Sequence, residues 1–263
     1  MAIIIEGGLA SESSGADEFV SSDLITTGNI HWVDTVNGSN VNPGTENEPV
    51  QTLQQAITNA TANNGDIIVI KSGSSQTITT TITVNKAGLK IFGIGQGSAA
   101  PNYILAAATD AISVTANNVE INNLYFPIGT TAANTARVNV DAANCKLKGL
   151  TFLCGQYDMS TITLTANALY AEIESCSLTI SANGPDYGVI VESAAVVGLK
   201  IKDCSFSGGS FNWDLGAIYS AFAHLNFMYD SNTLTSDAAI VHTASAKGCL
   251  SNTIAADGSP VSV

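Results

Sequence analysis

VEINNLYF (119–126) returns without gaps as CKLKGLTF (145–152), AEIESCSL (171–178), LKIKDCSF (199–206) and FMYDSNTL (227–234). The column two places before the last reads Leu124, Leu150, Cys176, Cys204, Asn232, at spacings of 26, 26, 28 and 28. The last column reads Phe126, Phe152, Leu178, Phe206, Leu234, and shorter echoes stand at LKIFGI (89–94) and CLSNTI (249–254). A second short alternating run precedes each copy: ITV (82–84), ISV (112–114), VNV (138–140), ITL (162–164), VIV (189–191), AIY (217–219) and AIV (239–241). Apolar residues at every second position mean strands, because successive side chains on a strand point to opposite faces. Two or three strands per repeat of 20–30 residues mean a solenoid, in which each coil buries its apolar face only by stacking on its neighbours. The columns then become ladders of like residues in one core, with Cys176 over Cys204 and Asn232 over Asn252. Seven or eight coils at about 4.8 Å each give a rod about 35–40 Å long.

N-terminal to the repeat stands HWVDTVNGSNVNPGTENEPVQTLQQAITNATANNGDIIVIKSG (31–73). Ile30, Trp32 and Val33 form a brief β-prone run, and the Asn, Gly, Ser and Pro between Val36 and Pro49 form a loop. Thr52 and Gln55 have capping-box spacing. Leu53, Ala56, Ile57 and Ala60 line one side of a short helix, placed at about 52–62, that stops at Asn63, Asn64 and Gly65 before the buried run IIVI. This pattern, WVDTVNGSNVNPGT…EPVQTLQQAI…NGDIIVI, is similar to the opening segment of pectin-lyase-like proteins. The resemblance covers about residues 31–254. It implies an all-β, right-handed parallel β-helix whose short N-terminal helix caps the open end of the first coil. The expected organisation is an N-terminal arm over 1–30 and a β-helix domain over 31–263.

Composition bounds the function. Residues 1–48 hold eight acids and no base, and the whole chain carries a net charge of −13. Such an excess of acid leaves little with which to neutralise phosphates, so the composition disfavours nucleic-acid binding. No apolar run reaches membrane-spanning length and no secretion signal is visible, so assembly in the cytoplasm is expected. Cys145, Cys154, Cys176, Cys204 and Cys249 contain no C-x-x-C pair and read as free, buried thiols. The arm is acidic and rich in Ser and Gly between Gly7 and Ser22, with Phe19, Val20, Leu24 and Ile25 as isolated apolar anchors. It reads equally as a segment that orders on a partner or on its own domain and as a disordered tail.

The resemblance also says which active sites to look for. Pectate-lyase-like enzymes use a calcium-binding acid cluster with a basic residue, and polygalacturonase-like enzymes use N-T-D, D-D, G-H-G and R-I-K motifs. Only KIK (200–202) echoes any of these. Arg137 is expected to face solvent from a strand, and His31, His224 and His242 are dispersed. DTVNGSNVN (34–42) lacks the ligand spacing of an EF-hand and reads as an Asx-rich turn. No metal, cofactor or catalytic residue is therefore expected. One constellation remains. Asp158, Asp186 and Asp214 recur every 28 residues, each before a coil's next strand, beside Tyr157, Tyr187, Phe211 and Trp213. Stacked on one corner they would offer rings to sugar faces and carboxylates to hydroxyls. A pair about 5–10 Å apart would also suffice for glycoside hydrolysis. The alternative is that these aspartates only cap turns. Thr79, Thr81, Thr83, Thr161, Thr163 and Thr165 are expected to point outward as a weakly charged face.

These features look most like virion proteins of tailed bacteriophages, whose β-helices are usually homotrimers. The resemblance implies a non-enzymatic head-decoration or spike protein, located in the virion and held to the capsid or other virion proteins by residues 1–30. The alternative is a short tailspike that binds or cleaves host polysaccharide. A free-standing secreted polysaccharide enzyme is the third reading, and the missing signal argues against it.

Overall fold

The structure, a computed structural model, describes residues 26–130, 134–155, 158–180, 187–207, 216–222, 225–234, 240–242 and 247–251. Three parallel sheets of nine, seven and seven strands run along the molecule. The first sheet runs from Ile30–Val33 to Lys247–Ser251, the second from Ser75–Ile78 to Thr233–Leu234, and the third from Ile82–Val84 to Ile240–His242. Each coil visits the three sheets in turn, and each strand pairs with its counterparts in the coils on either side. This is the parallel β-helix expected from the repeat.

The ladders lie where the sequence columns put them. Phe126 pairs with Phe152, Phe152 with Leu178, Leu178 with Phe206 and Phe206 with Leu234. Tyr103 continues the stack beyond Phe126, and the Phe126 and Phe152 rings lie 4.9 Å apart at 12°. Leu124, Leu150, Cys176, Cys204 and Asn232 are all buried in one column. Each fully buried Leu or Phe contributes about 1.5–3 kcal/mol of transfer free energy. Asn232 is tolerated there because its amide donates to the Ile201 carbonyl (2.8 Å) and accepts from the Cys204 N–H (3.0 Å). Cys145, Cys154, Cys176 and Cys204 are buried thiols outside any disulfide, and the side chain of Cys249 lies outside the described residues. The last strand departs from the sequence alignment, since Ser251 pairs with Asp230. Asn252 itself lies outside the described residues.

The corners are set by two columns of left-handed residues. Asn63, Gly88, Asn118, Asn144, Tyr170 and Gly198 have φ between 55° and 73° where the chain enters the first sheet. Asn123, Gly149, Ser175, Asp203 and Ser231 have φ between 53° and 60° where it leaves. In this conformation each turn's N–H reaches the carbonyl one coil on, as from Asn144 to Leu169 (2.8 Å) and from Gly149 to Glu174 (2.9 Å). Asn and Gly adopt it at least cost, and an aromatic such as Tyr170 does so only with strain. The Tyr170 ring is 60% exposed and lies over Gly198, where any Cβ would come within 2.3 Å of it.

Helix α1 (Leu53–Asn59) covers the start of the core with Leu53, Ala56 and Ile57. It is shorter than the 52–62 read from periodicity. Ala60 is already extended, and the Asp66 carboxylate takes the Thr61 N–H at 2.7 Å. The capping box is only half made. Thr52 accepts from the Gln55 N–H, while the Gln55 side chain donates to Asn59 Oδ1 (2.9 Å) and the Thr52 N–H goes to Asn40 Oδ1 (3.0 Å). The 34–42 segment is an Asx turn, with Asp34 Oδ1 accepting from Val36 and Asn37.

Asp66 is the hub of the cap. Besides Thr61 it accepts from Asn29 N (2.7 Å) and Asn64 Nδ2 (2.7 Å), and His31 Nε2 lies 3.2 Å away. Burial pushes its carboxyl up, but these hydrogen bonds outweigh burial and hold it below the usual carboxylate range. Thr26 is bound to the Gly65 carbonyl, and a Cβ on Gly28 would meet the Asn64 carbonyl at 2.5 Å. The chain is therefore fastened to this turn from Thr26 onward. Residues 1–25 of the expected arm lie outside the described residues.

The outer face of the first sheet carries charge in stripes. Lys146 and Lys148 pair with Glu172 and Glu174, which pair in turn with Lys200 and Lys202. Lys146 Nζ lies 2.8 Å from Glu174, and Lys202 Nζ lies 2.9 Å from Glu172. A slip of one coil would set Lys over Lys, so the stripes favour the observed register. No described helix is long and apolar enough to cross a membrane.

Candidate functional site

Two readings of side-chain direction change at the third sheet, and together they create a groove. Arg137, expected to face solvent, is 1% exposed, and Thr161, expected to point outward, is fully buried. Gly188 and Ala217 occupy the same place in the next two coils and are buried too. In each of these strands the following residue (Val138, Ile162, Val189, Ile218) is also buried, so two successive positions face inward. The strand bends there, and the outward residues on either side of the bend turn toward each other. Simple alternation cannot show such a bend.

The result is a groove of about 380 Å³ lined by Asp110, Ala136, Asn139, Ser160, Thr163, Tyr187, Ile190 and Glu192. One wall is the row Ala136, Ser160, Tyr187, and the other is Asn139, Thr163, Ile190, as the strand register requires. Ser160 and Thr163 hydroxyls share a hydrogen bond across it (2.7 Å). Asp110 Oδ1 accepts from the Ala136 N–H (3.0 Å) and Oδ2 from Asn139 Nδ2 (3.0 Å). Among the described residues no donor reaches the buried Asn139 Oδ1. Tyr187 packs its ring 4.7 Å from that of Tyr219 in the next coil, at 37°.

The groove's two carboxylates are set apart. Asp110 precedes the strand Ile112–Val114, and Glu192 follows Tyr187–Val191, three strands further along the sheet. At about 4.8 Å per strand their backbones stand about 14 Å apart across the sheet. Among the described residues no group of three His, Cys, Asp or Glu is placed to hold a metal ion.

Of the corner residues read from the sequence, Tyr187 lines this groove. Asp158 opens the strand Asp158–Leu164, its Cα paired with Asn134, and so is not in a turn. Tyr157, Asp186, Phe211, Trp213 and Asp214 lie outside the described residues, as does the side chain of Asp158. The strands beside them are not offset by a uniform 28. Ser160 pairs with Tyr187 and Tyr187 with Gly216, which are offsets of 27 and then 29 residues. Sequence reasoning missed Asp110, Asn139, Ser160 and Glu192, none of which belongs to a repeating column. It also missed the buried His31–Asp66 pair, which no repeat offset links.

No family profile and no curated protein matches this chain. Several solved structures do. Pectate lyase Pel9A is similar at 14% identity and a TM-score of 0.63, over 88% of this chain and 64% of its own. GH136 lacto-N-biosidase from Eubacterium ramulus is similar at 11% identity and 0.52, over 86% of this chain and 55% of its own. ORF18 of Geobacillus virus E2, at 11% identity and 0.40, is too distant a likeness to bear on function. The chain spans less than two thirds of the length of the pectate lyase and of the lacto-N-biosidase. At these identities the likeness establishes the pectin-lyase-like parallel β-helix fold alone.

Proposed function

We propose that this chain is a non-enzymatic surface protein of a tailed-bacteriophage virion, a trimeric spike or head decoration held to its particle by the acidic N-terminal arm. The non-enzymatic part rests on the groove. Its Asp110 carboxylate is engaged by Ala136 and Asn139, and Glu192, the other carboxylate of its lining, belongs three strands further along the sheet. The anchoring part is supported by the cap. Helix α1 and the Asp66 hub close the first coil with residues that follow the acidic segment. Nucleic acid does not enter this reading, because the chain is strongly acidic. The test is deletion of residues 1–25, which preserves the Thr26 tie to Gly65. The truncated protein should keep its β-sheet circular dichroism and fail to bind particles lacking the endogenous protein. Full occupancy by the truncated chain would remove the anchoring arm from the account.

A second reading is favoured by the Asn139 Oδ1 acceptor and the Tyr187–Tyr219 ring pair. A flat ring stacks on a sugar face and a buried acceptor selects a hydroxyl, so the groove would hold host polysaccharide without cutting it. Tyr187→Ala and Asn139→Ala should each weaken binding of the purified host polysaccharide in calorimetry. Unchanged binding in both variants would dismiss the groove as a glycan site.

A further inference from the structure

We infer that the outer face of the second sheet is where copies of this chain meet. This rests on the self-association within the proposed function and names the surface that carries it. The first sheet presents lysine and glutamate stripes, and the third bends into a groove between Asp110 and Glu192. The second has neither the stripes nor the groove. From Ser75 to Thr233, every outward residue on its seven strands is uncharged. Half-buried Ile104, Tyr125 and Leu153 stand mid-face. Thr77 stands beside Ile104 on one side and Thr179 and Ser207 continue the row beyond Leu153 on the other, and Thr179 and Ser207 are already hydrogen-bonded to each other (3.1 Å). Apolar residues flanked by uncharged hydroxyls, with charge absent, match the composition of the centre of a protein contact.

Charge selects the occupant. Two bodies of net charge −13 repel each other, and they approach most easily where neither presents charge. A basic partner would be drawn instead to the acidic remainder of the surface. The face spans six strand spacings, about 29 Å, and is about 7–13 Å wide, on the order of 300 Å² in projection. Standard interfaces take about 800 Å² per partner. Contact between free copies is therefore weak, and it becomes firm where an anchor holds copies at high effective concentration. The salt dependence has a definite sign. Screening of the mutual repulsion tightens this contact as ionic strength rises, whereas contact through the striped first sheet would loosen.

Sedimentation equilibrium of the full chain across tens to hundreds of micromolar, at low and high sodium chloride, tests this. Self-association should appear, strengthen with salt, and weaken at least tenfold in Leu153→Lys and, independently, in Thr179→Lys. Both variants should keep the wild-type circular dichroism, and a variant that loses it is replaced by Ser207→Lys. Association that survives the lysines, or that weakens with salt, overturns the assignment of this face and leaves self-association standing. A monomer under every condition overturns both.

Discussion

The Asp66→Asn substitution tests how the cap is held. In the structure one carboxylate takes three hydrogen bonds of 2.7 Å, from Asn29 N, Asn64 Nδ2 and Thr61 N, and faces His31 Nε2 at 3.2 Å. Asn keeps one acceptor oxygen and turns an amide NH₂ toward the donors of the other. Either Thr61 and His31 or Asn29 and Asn64 then lose their partner. Hydrogen bonds to a charged group contribute about 1.5–3 kcal/mol each, and a buried N–H left unsatisfied costs about 1–3 kcal/mol. A loss of about 2–4 kcal/mol is expected. In a solenoid that loss falls on the first coil and its neighbours, because each coil contacts only adjacent ones. Hydrogen exchange read by mass spectrometry should show faster exchange in peptides covering 26–34 and 53–70, with those covering 145–207 unchanged. A uniform increase along the rod, or a stability change under about 0.5 kcal/mol by urea denaturation, would refute the hub.

Three further outcomes follow from the same geometry. Acid should unfold the protein, because Asp34, Asp66, Glu172 and Glu174 are all held below the usual carboxylate range in the fold. Their contribution is complete above their unfolded values, about pH 4, and is lost as pH falls through the lower folded ones, so denaturant midpoints should be flat near neutrality and drop below about pH 4. Reversing the middle stripe with Glu172→Lys and Glu174→Lys sets like charges across two strand pairs and should cost about 1–2 kcal/mol at low salt, shrinking as salt rises. Tyr170→Asn relieves a left-handed aromatic at φ 55° and should stabilise by about 1 kcal/mol, raising Tm by about 2–4 °C.

The sequence made the stack legible because its signal is chemical. Leu124, Leu150, Cys176 and Cys204 are all apolar at one spacing, and they form a single buried column. The helix face of Leu53, Ala56 and Ile57 was legible for the same reason. The corners were harder to read. Asn144, Tyr170 and Gly198 share a backbone conformation and no side-chain chemistry, so no column of similar letters marks them. The groove was hidden by its bend, since Arg137 and Val138 both turn inward where alternation sends one of them out. Of its walls the sequence marks Tyr187, through its place beside Asp186, and Thr163, as one of a run of outward threonines.

The location of the chain tests the central claim most directly. The virion reading predicts that quantitative mass spectrometry of gradient-purified phage particles, prepared from the strain that produces the chain, finds it at a fixed copy number, a multiple of three. Recovery only in the soluble fraction of the lysate, with purified particles free of it, would contradict the virion reading.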